Sequence, residues 1–153
     1  MPTTNTTRAQ RFYQRGLYHY ERGQWLEATS ALRDAIRLYP EHIAARMHPG
    51  ASLVRQRLYL DAIKVLEEGR HVPAIDDVTR LKLLKLLSTI CVIRQDYPAA
   101  EYYLTAARAL APEDPVLIEK LASLSCKAGS FEKGFDLFLQ AARERASSAP
   151  EAS

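Results

Sequence analysis

Apolar residues recur along this chain at helical intervals. Phe131, Phe135, Phe138 and Ala142 are separated by steps of four, three and four, which makes one apolar stripe on a 3.6-residue helix. No segment sustains the period-two alternation of a half-buried strand. Start signals accompany the stripes. Asp114-Pro115 sets a capping acid before a proline suited to a first helical position. Asp96 and Ser130 are placed to cap helices beginning at Tyr97 and Phe131. The pattern predicts an all-α chain.

The stripes repeat. Gly23-Gln-Trp25-Leu-Glu-Ala28, Arg57-Leu-Tyr59-Leu-Asp-Ala62, Gln95-Asp-Tyr97-Pro-Ala-Ala100 and Gly129-Ser-Phe131-Glu-Lys-Gly134 align, each with an aromatic three residues before a small one. Four residues past the small one comes Leu32, Leu66, Leu104 or Phe138, and three further on Ala35, Gly69, Ala107 or Ala141. The aromatics at 25, 59, 97 and 131 are spaced by 34, 38 and 34 residues. Upstream, Phe12, Gly16, Gly50, Leu53, Leu84, Leu87, Ile118 and Leu121 fall at packing positions of a preceding helix, and Pro40 and Pro112 stand where a second helix would stop. This pattern resembles the tetratricopeptide repeat, a helix–turn–helix unit of about 34 residues. The resemblance covers roughly residues 9–145. It implies a right-handed superhelical solenoid of four repeats and about eight helices, with repeats near 9–42, 43–76, 81–114 and 115–145 in a single domain. Residues 1–8 are expected to be flexible and the small, polar 146–153 disordered.

The departures from the pattern carry information. Pro49 falls inside the first helix of repeat two, where a proline costs about 3 kcal/mol. It predicts a kink or a restart near Met47–Gly50. Extra residues around 72–77 lengthen the connection between repeats two and three. In repeat one, Arg8, Arg11, Arg15 and Arg22 share a face where a packing leucine is expected. Such a face suits a solvated solenoid end, or docking of an acidic partner. At the other end nothing follows to cover Phe135, Phe138 or Leu139, so this end is a second expected interface, for a homodimer or a heteromer.

Composition narrows the function. The chain has 153 residues, 47% hydrophobic and 25% charged, the profile of a globular domain. Its net charge of +3 is too small to indicate nucleic acid. No polar position recurs across the four units in the manner of repeat proteins that read RNA bases. No apolar run approaches the length of a membrane span, and the polar N-terminus lacks the order of a signal peptide, so a cytoplasmic location is expected. Cys91 and Cys126 lie in apolar helical stretches and read as reduced packing residues. His19, His42, His48 and His71 lack metal-ligand spacing, and no phosphate loop, nucleophile elbow or zinc motif occurs. Neither a metal, a cofactor nor an enzymatic activity is expected.

The resemblance places a concave groove on the first helices of the repeats. Tyr13, Leu17 and Tyr20 map there from repeat one, with Met47 and Val54 from repeat two and Lys82, Leu86 and Thr89 from repeat three. Gln10, Ala51, Arg55, Lys85, Val92, Ile93, Glu119, Ser123 and Lys127 complete the face. Co-chaperones of this family grip acidic chaperone C-termini with a lysine, asparagine and arginine clamp. The matching positions here are Tyr13, Leu17, His48, Lys82 and Leu86, of which Lys82 alone fits, so no such clamp is expected. The face is mainly apolar and aromatic, suited to a helical or extended hydrophobic segment of a partner protein. The resemblance thus implies a non-enzymatic adaptor. In size and groove character the chain is also similar to bacterial type III secretion chaperones, which hold a hydrophobic export substrate.

Overall fold

The computed structural model of this chain describes residues 4–73 and 75–150. Among the described residues there are eight helices and no strand: α1 Thr4–Glu21, α2 Trp25–Leu38, α3 Ile43–Arg55, α4 Tyr59–Arg70, α5 Asp77–Ile93, α6 Tyr97–Leu110, α7 Pro115–Lys127 and α8 Phe131–Ser148. By its internal contacts the chain divides into two compact units, Met1–Thr79 and Arg80–Ser153. The division lies just past the insertion between repeats two and three. In the first unit α1 packs on α2, α2 on α3 and α3 on α4; in the second, α6 packs on α7 and α7 on α8.

The turn inside each repeat is built the same way. The amide of Gln24 donates to the His19 carbonyl (3.0 Å), Leu58 to Leu53 (2.8 Å), Asp96 to Cys91 (2.9 Å) and Ser130 to Ser125 (2.8 Å). This six-to-one bond is the Schellman ending of a helix, which needs a left-handed residue just before its donor. Gly23, Arg57, Gln95 and Gly129 supply it, with φ of 71°, 59°, 60° and 85°. Arg57 and Gln95 carry a Cβ there, at a cost of about 1–2 kcal/mol. Gln95→Gly is therefore expected to raise the unfolding free energy by about 0.5–1 kcal/mol, after the extra freedom glycine gives the unfolded chain. Urea titration reads this directly, and an unmoved midpoint would show that the turn is unstrained.

Close helix packing follows from the small residues. Ala28, Ala62 and Ala100 are wholly buried, and Gly134 takes the same place in α8. On the opposing helices, a Cβ at Gly16 would lie 2.5 Å from Leu32 Cγ, and one at Gly50 2.8 Å from Leu66 Cγ. Leu32, Leu66 and Leu104 of the repeated signature are buried accordingly.

Several local expectations need correction. α3 runs unbroken across Pro49, without a restart. Both Pro49 and Gly50 are buried, so tertiary packing holds the turn that proline weakens. α1 begins at Thr4, inside the segment expected to be flexible, because wholly buried Ala9 anchors its first turns. α8 continues to Ser148, into the expected tail. There the Ser147 and Ser148 hydroxyls donate to the Glu144 carbonyl at 2.9 and 2.8 Å and satisfy the helix end. Residues 1–3 and 151–153 of those segments lie outside the described residues. Ser130 makes no side-chain cap, whereas Asp96 accepts from the Ala99 amide (3.2 Å) and Asp114 from that of Val116 (2.9 Å).

Candidate functional site

In the first unit α1 and α3 bring together a row of rings. The Tyr13 ring lies 4.5 Å from that of His42 and 5.7 Å from His48; Tyr20 lies 5.5 Å from His48 and 5.3 Å from Trp25. The Arg55 guanidinium stands 5.9 Å over Trp25. Both imidazoles have fixed roles. His42 Nδ1 accepts the Ala45 amide (3.2 Å) as the cap of α3, which leaves the proton of the neutral ring on Nε2, 3.3 Å from Gln10 Oε1. His48 Nδ1 donates to the Ala44 carbonyl at 2.9 Å. Burial pushes the His42 pKa down; a backbone hydrogen bond offsets this in part, and the charge of His48 lowers it further. Burial pushes the Tyr13 hydroxyl up.

This arrangement gives a pH dependence with a definite sign. Because the folded pKa of His42 lies below its ordinary value of 6.5, the unfolded chain binds more protons. The contribution to stability is complete above about pH 6.5 and declines as pH falls through that value toward the folded pKa. The melting temperature is expected to drop between pH 7.5 and 5. His42→Asn, which keeps a capping acceptor, should flatten that slope. An identical slope in the variant would remove His42 as its cause.

In the second unit α5 and α7 border a cleft of about 390 Å³. Val92, Leu104, Val116 and Leu124 give it apolar walls, and Thr89, Glu119, Lys120, Ser123 and Lys127 stand around them. The Ser88 and Thr89 hydroxyls both donate to the Lys85 carbonyl, at 2.8 and 2.9 Å. Glu119 is paired with Arg145 (2.7 Å), while Lys120 and Lys127 have no ion-pair partner among the described residues. Lys85 ties α5 to the start of α7 through Asp114 (3.2 Å). Burial raises the Asp114 pKa, but hydrogen bonds from Lys85 and the Val116 amide outweigh it and hold the carboxyl below its usual value.

No protein-family model matches the sequence, and no curated protein is similar to it at sequence level. Solved structures are. MamA from residue 41 onward, of Desulfovibrio magneticus RS-1, matches with a TM-score of 0.75 at 19% identity, over 93% of this chain and 78% of that one. The N-terminal domain of stress-induced protein-1 from C. elegans matches with 0.75 at 17% identity, over 81% and 99%. YrrB, a TPR protein with an unusual peptide-binding site, matches with 0.68 at 15% identity, over 90% and 69%. The chain has the tetratricopeptide-repeat fold.

The expected site residues fall in both units. Tyr13 and Tyr20 join the ring row, and Leu17, Met47 and Val54 are half-buried in the same unit. Thr89, Val92, Glu119, Ser123 and Lys127 line one cleft; exposed Lys82 and half-buried Leu86 are not part of its lining. Of the end residues, Arg8, Arg11 and Arg15 are exposed, with Phe12 beside them in a surface hollow. Arg22 leaves that stripe and stacks 3.5 Å over the Tyr18 ring. Phe135 and Phe138 are 63% and 41% exposed. His42, His48 and Trp25 were not among the expected site residues. Among the described residues no three His, Cys, Asp or Glu side chains are grouped to hold a metal, and no helix is long and apolar enough to cross a membrane.

Proposed function

We propose that this chain is a protein-interaction module, an adaptor without catalytic chemistry of its own, and that it holds a segment of a partner protein in the cleft between α5 and α7. The observation that carries this reading is the character of the cleft. Its volume of about 390 Å³ lies in the range of ligand clefts, and its walls are apolar. The two charges at its edge without an ion-pair partner among the described residues, Lys120 and Lys127, are both positive. The matching occupant is an apolar side chain with acidic neighbours on an extended or helical segment. The ring row of the first unit offers an aromatic contact face of its own, suited to an apolar segment. A holder of wholly hydrophobic export substrates is the competing reading, and the unpaired lysines favour the mixed apolar and acidic segment over it.

Selection of displayed peptides against the folded chain tests the proposal. Selected segments are expected to share an apolar residue flanked by Asp or Glu. Thr89→Trp, at an exposed position on the cleft edge, should weaken their binding at least about tenfold without loss of helix. Lys120→Glu with Lys127→Glu should do the same and abolish the salt dependence. Binders indifferent to both variants would overturn the cleft assignment. Uncharged apolar binders insensitive to salt would favour the export-chaperone reading.

A further inference from the structure

α8 is anomalous within this chain's own repeats. Phe138 occupies the position of Leu32, Leu66 and Leu104, which are 0%, 0% and 2% exposed, yet Phe138 is 41% exposed. Phe135 occupies the position of Thr29, whose hydroxyl on α2 accepts a hydrogen bond from Gln56 at the end of α3. Phe135 therefore stands on the side of α8 that corresponds to the side α2 turns to α3. With Phe131 and Leu139, 69% and 43% exposed, Phe135 and Phe138 form a continuous apolar stripe that no element among the described residues covers.

We propose that two copies of this chain pair antiparallel through α8, Phe135, Phe138 and Leu139 of one against the same stripe of the other. Size and charge along the helix favour that orientation. The bulky Phe131 and Phe135 lie toward the start of the stripe and the small Ala142 and Ala146 toward its end, so antiparallel copies set large against small. Glu132 and Asp136 flank the early half and Arg143 the late half of the same edge. None of the three has an ion-pair partner among the described residues, although their neighbours Lys133 and Arg145 are paired with Glu101 and Glu119. Antiparallel pairing sets Glu132 and Asp136 against the partner's Arg143 at both ends of a two-fold interface, whereas a parallel two-fold would turn this edge toward the opposite edge of the partner and leave the three charges without that match.

Docking of α8 on the α1 end of another copy is disfavoured. Arg11 and Arg15 stand there at positions filled by Ala45 and Pro49, Leu83 and Leu87, and Leu117 and Leu121 in the other repeats, all buried. Stacking would strip water from two guanidinium groups.

Sedimentation velocity over a concentration series tests the proposal. A monomer of 17.3 kDa should give way to a species of twice that mass, with a dissociation constant on the order of 10 μM for so small an interface. Phe135→Glu with Phe138→Glu, both at exposed positions, should abolish the dimer while circular dichroism stays unchanged. Arg143→Glu should weaken it about tenfold, and adding Glu132→Arg and Asp136→Arg should restore it. A monomer at every concentration overturns the proposal, as does a dimer untouched by the phenylalanine changes. Assemblies that grow beyond two copies and are lost with Arg11→Glu would show head-to-tail stacking instead. Charge variants without rescue would overturn the antiparallel register.

Discussion

Ala100→Asp is expected to lower the melting temperature by about 10 °C or more, or to unfold the second unit outright. Ala100 lies on α6, is wholly buried, and belongs to the row of small residues that sets helix spacing in every repeat. An aspartate there adds volume at a close contact and buries a carboxylate without a counter-charge, which costs about 3–5 kcal/mol. That is a large share of the roughly 5–15 kcal/mol stability of a domain this size. At about 2–4 °C per kcal/mol the shift is well outside error. Thermal melts followed by circular dichroism check it, with exposed Arg15→Glu as the control expected to move little. A variant that melts within a degree or two of wild type would show that the repeat register is wrong.

Gly134→Ala is expected to be the most damaging single methyl in the chain. An added Cβ would lie 2.4 Å from Cys126 Sγ and 3.0 Å from the Ala122 carbonyl oxygen. One obstacle is a side chain; the other is the backbone of α7, which moves only if the two helices separate. Overpacking of this kind costs about 1–3 kcal/mol, with the upper end expected here. Cys126→Ala removes the first obstacle and leaves the second, so the double variant should regain part of the loss. A urea-denaturation cycle of the four proteins measures that coupling. Full additivity would mean that Cys126 is not the obstacle. A Gly134→Ala protein as stable as wild type would mean that α7 and α8 are not in close contact.

Much of this was legible in the sequence because a repeated signature reports itself four times. The small residues, the buried Leu32, Leu66 and Leu104, and the cleft residues Thr89, Val92, Ser123 and Lys127 all follow from one register. What single positions decide was harder to read. Pro49 argues locally for a break, and only its burial in the folded unit overrides that. His42 and His48 lie six apart in sequence and share nothing until Tyr13 of α1 comes between them. Arg46 is legible only through the register. It occupies the position of Phe12, Leu84 and Ile118, so an apolar environment was implied. The residue is 6% exposed; its Nε donates to the Pro40 carbonyl (3.0 Å) and its Nη1 to Glu68 (3.1 Å). Its stem fills the packing position while its head leaves the core for polar partners.

The most direct test of the central claim, that the α5–α7 cleft holds a partner's segment, is a nuclear magnetic resonance titration of the ¹⁵N-labelled chain. A selected apolar and acidic peptide is added, and amide shifts are mapped onto the sequence. The expected result is that the largest changes cluster at Thr89, Val92, Val116, Ser123 and Lys127, and disappear in the Thr89→Trp protein. Saturable binding with shifts confined to α8 or to the arginines of α1, and none in the cleft, would contradict it.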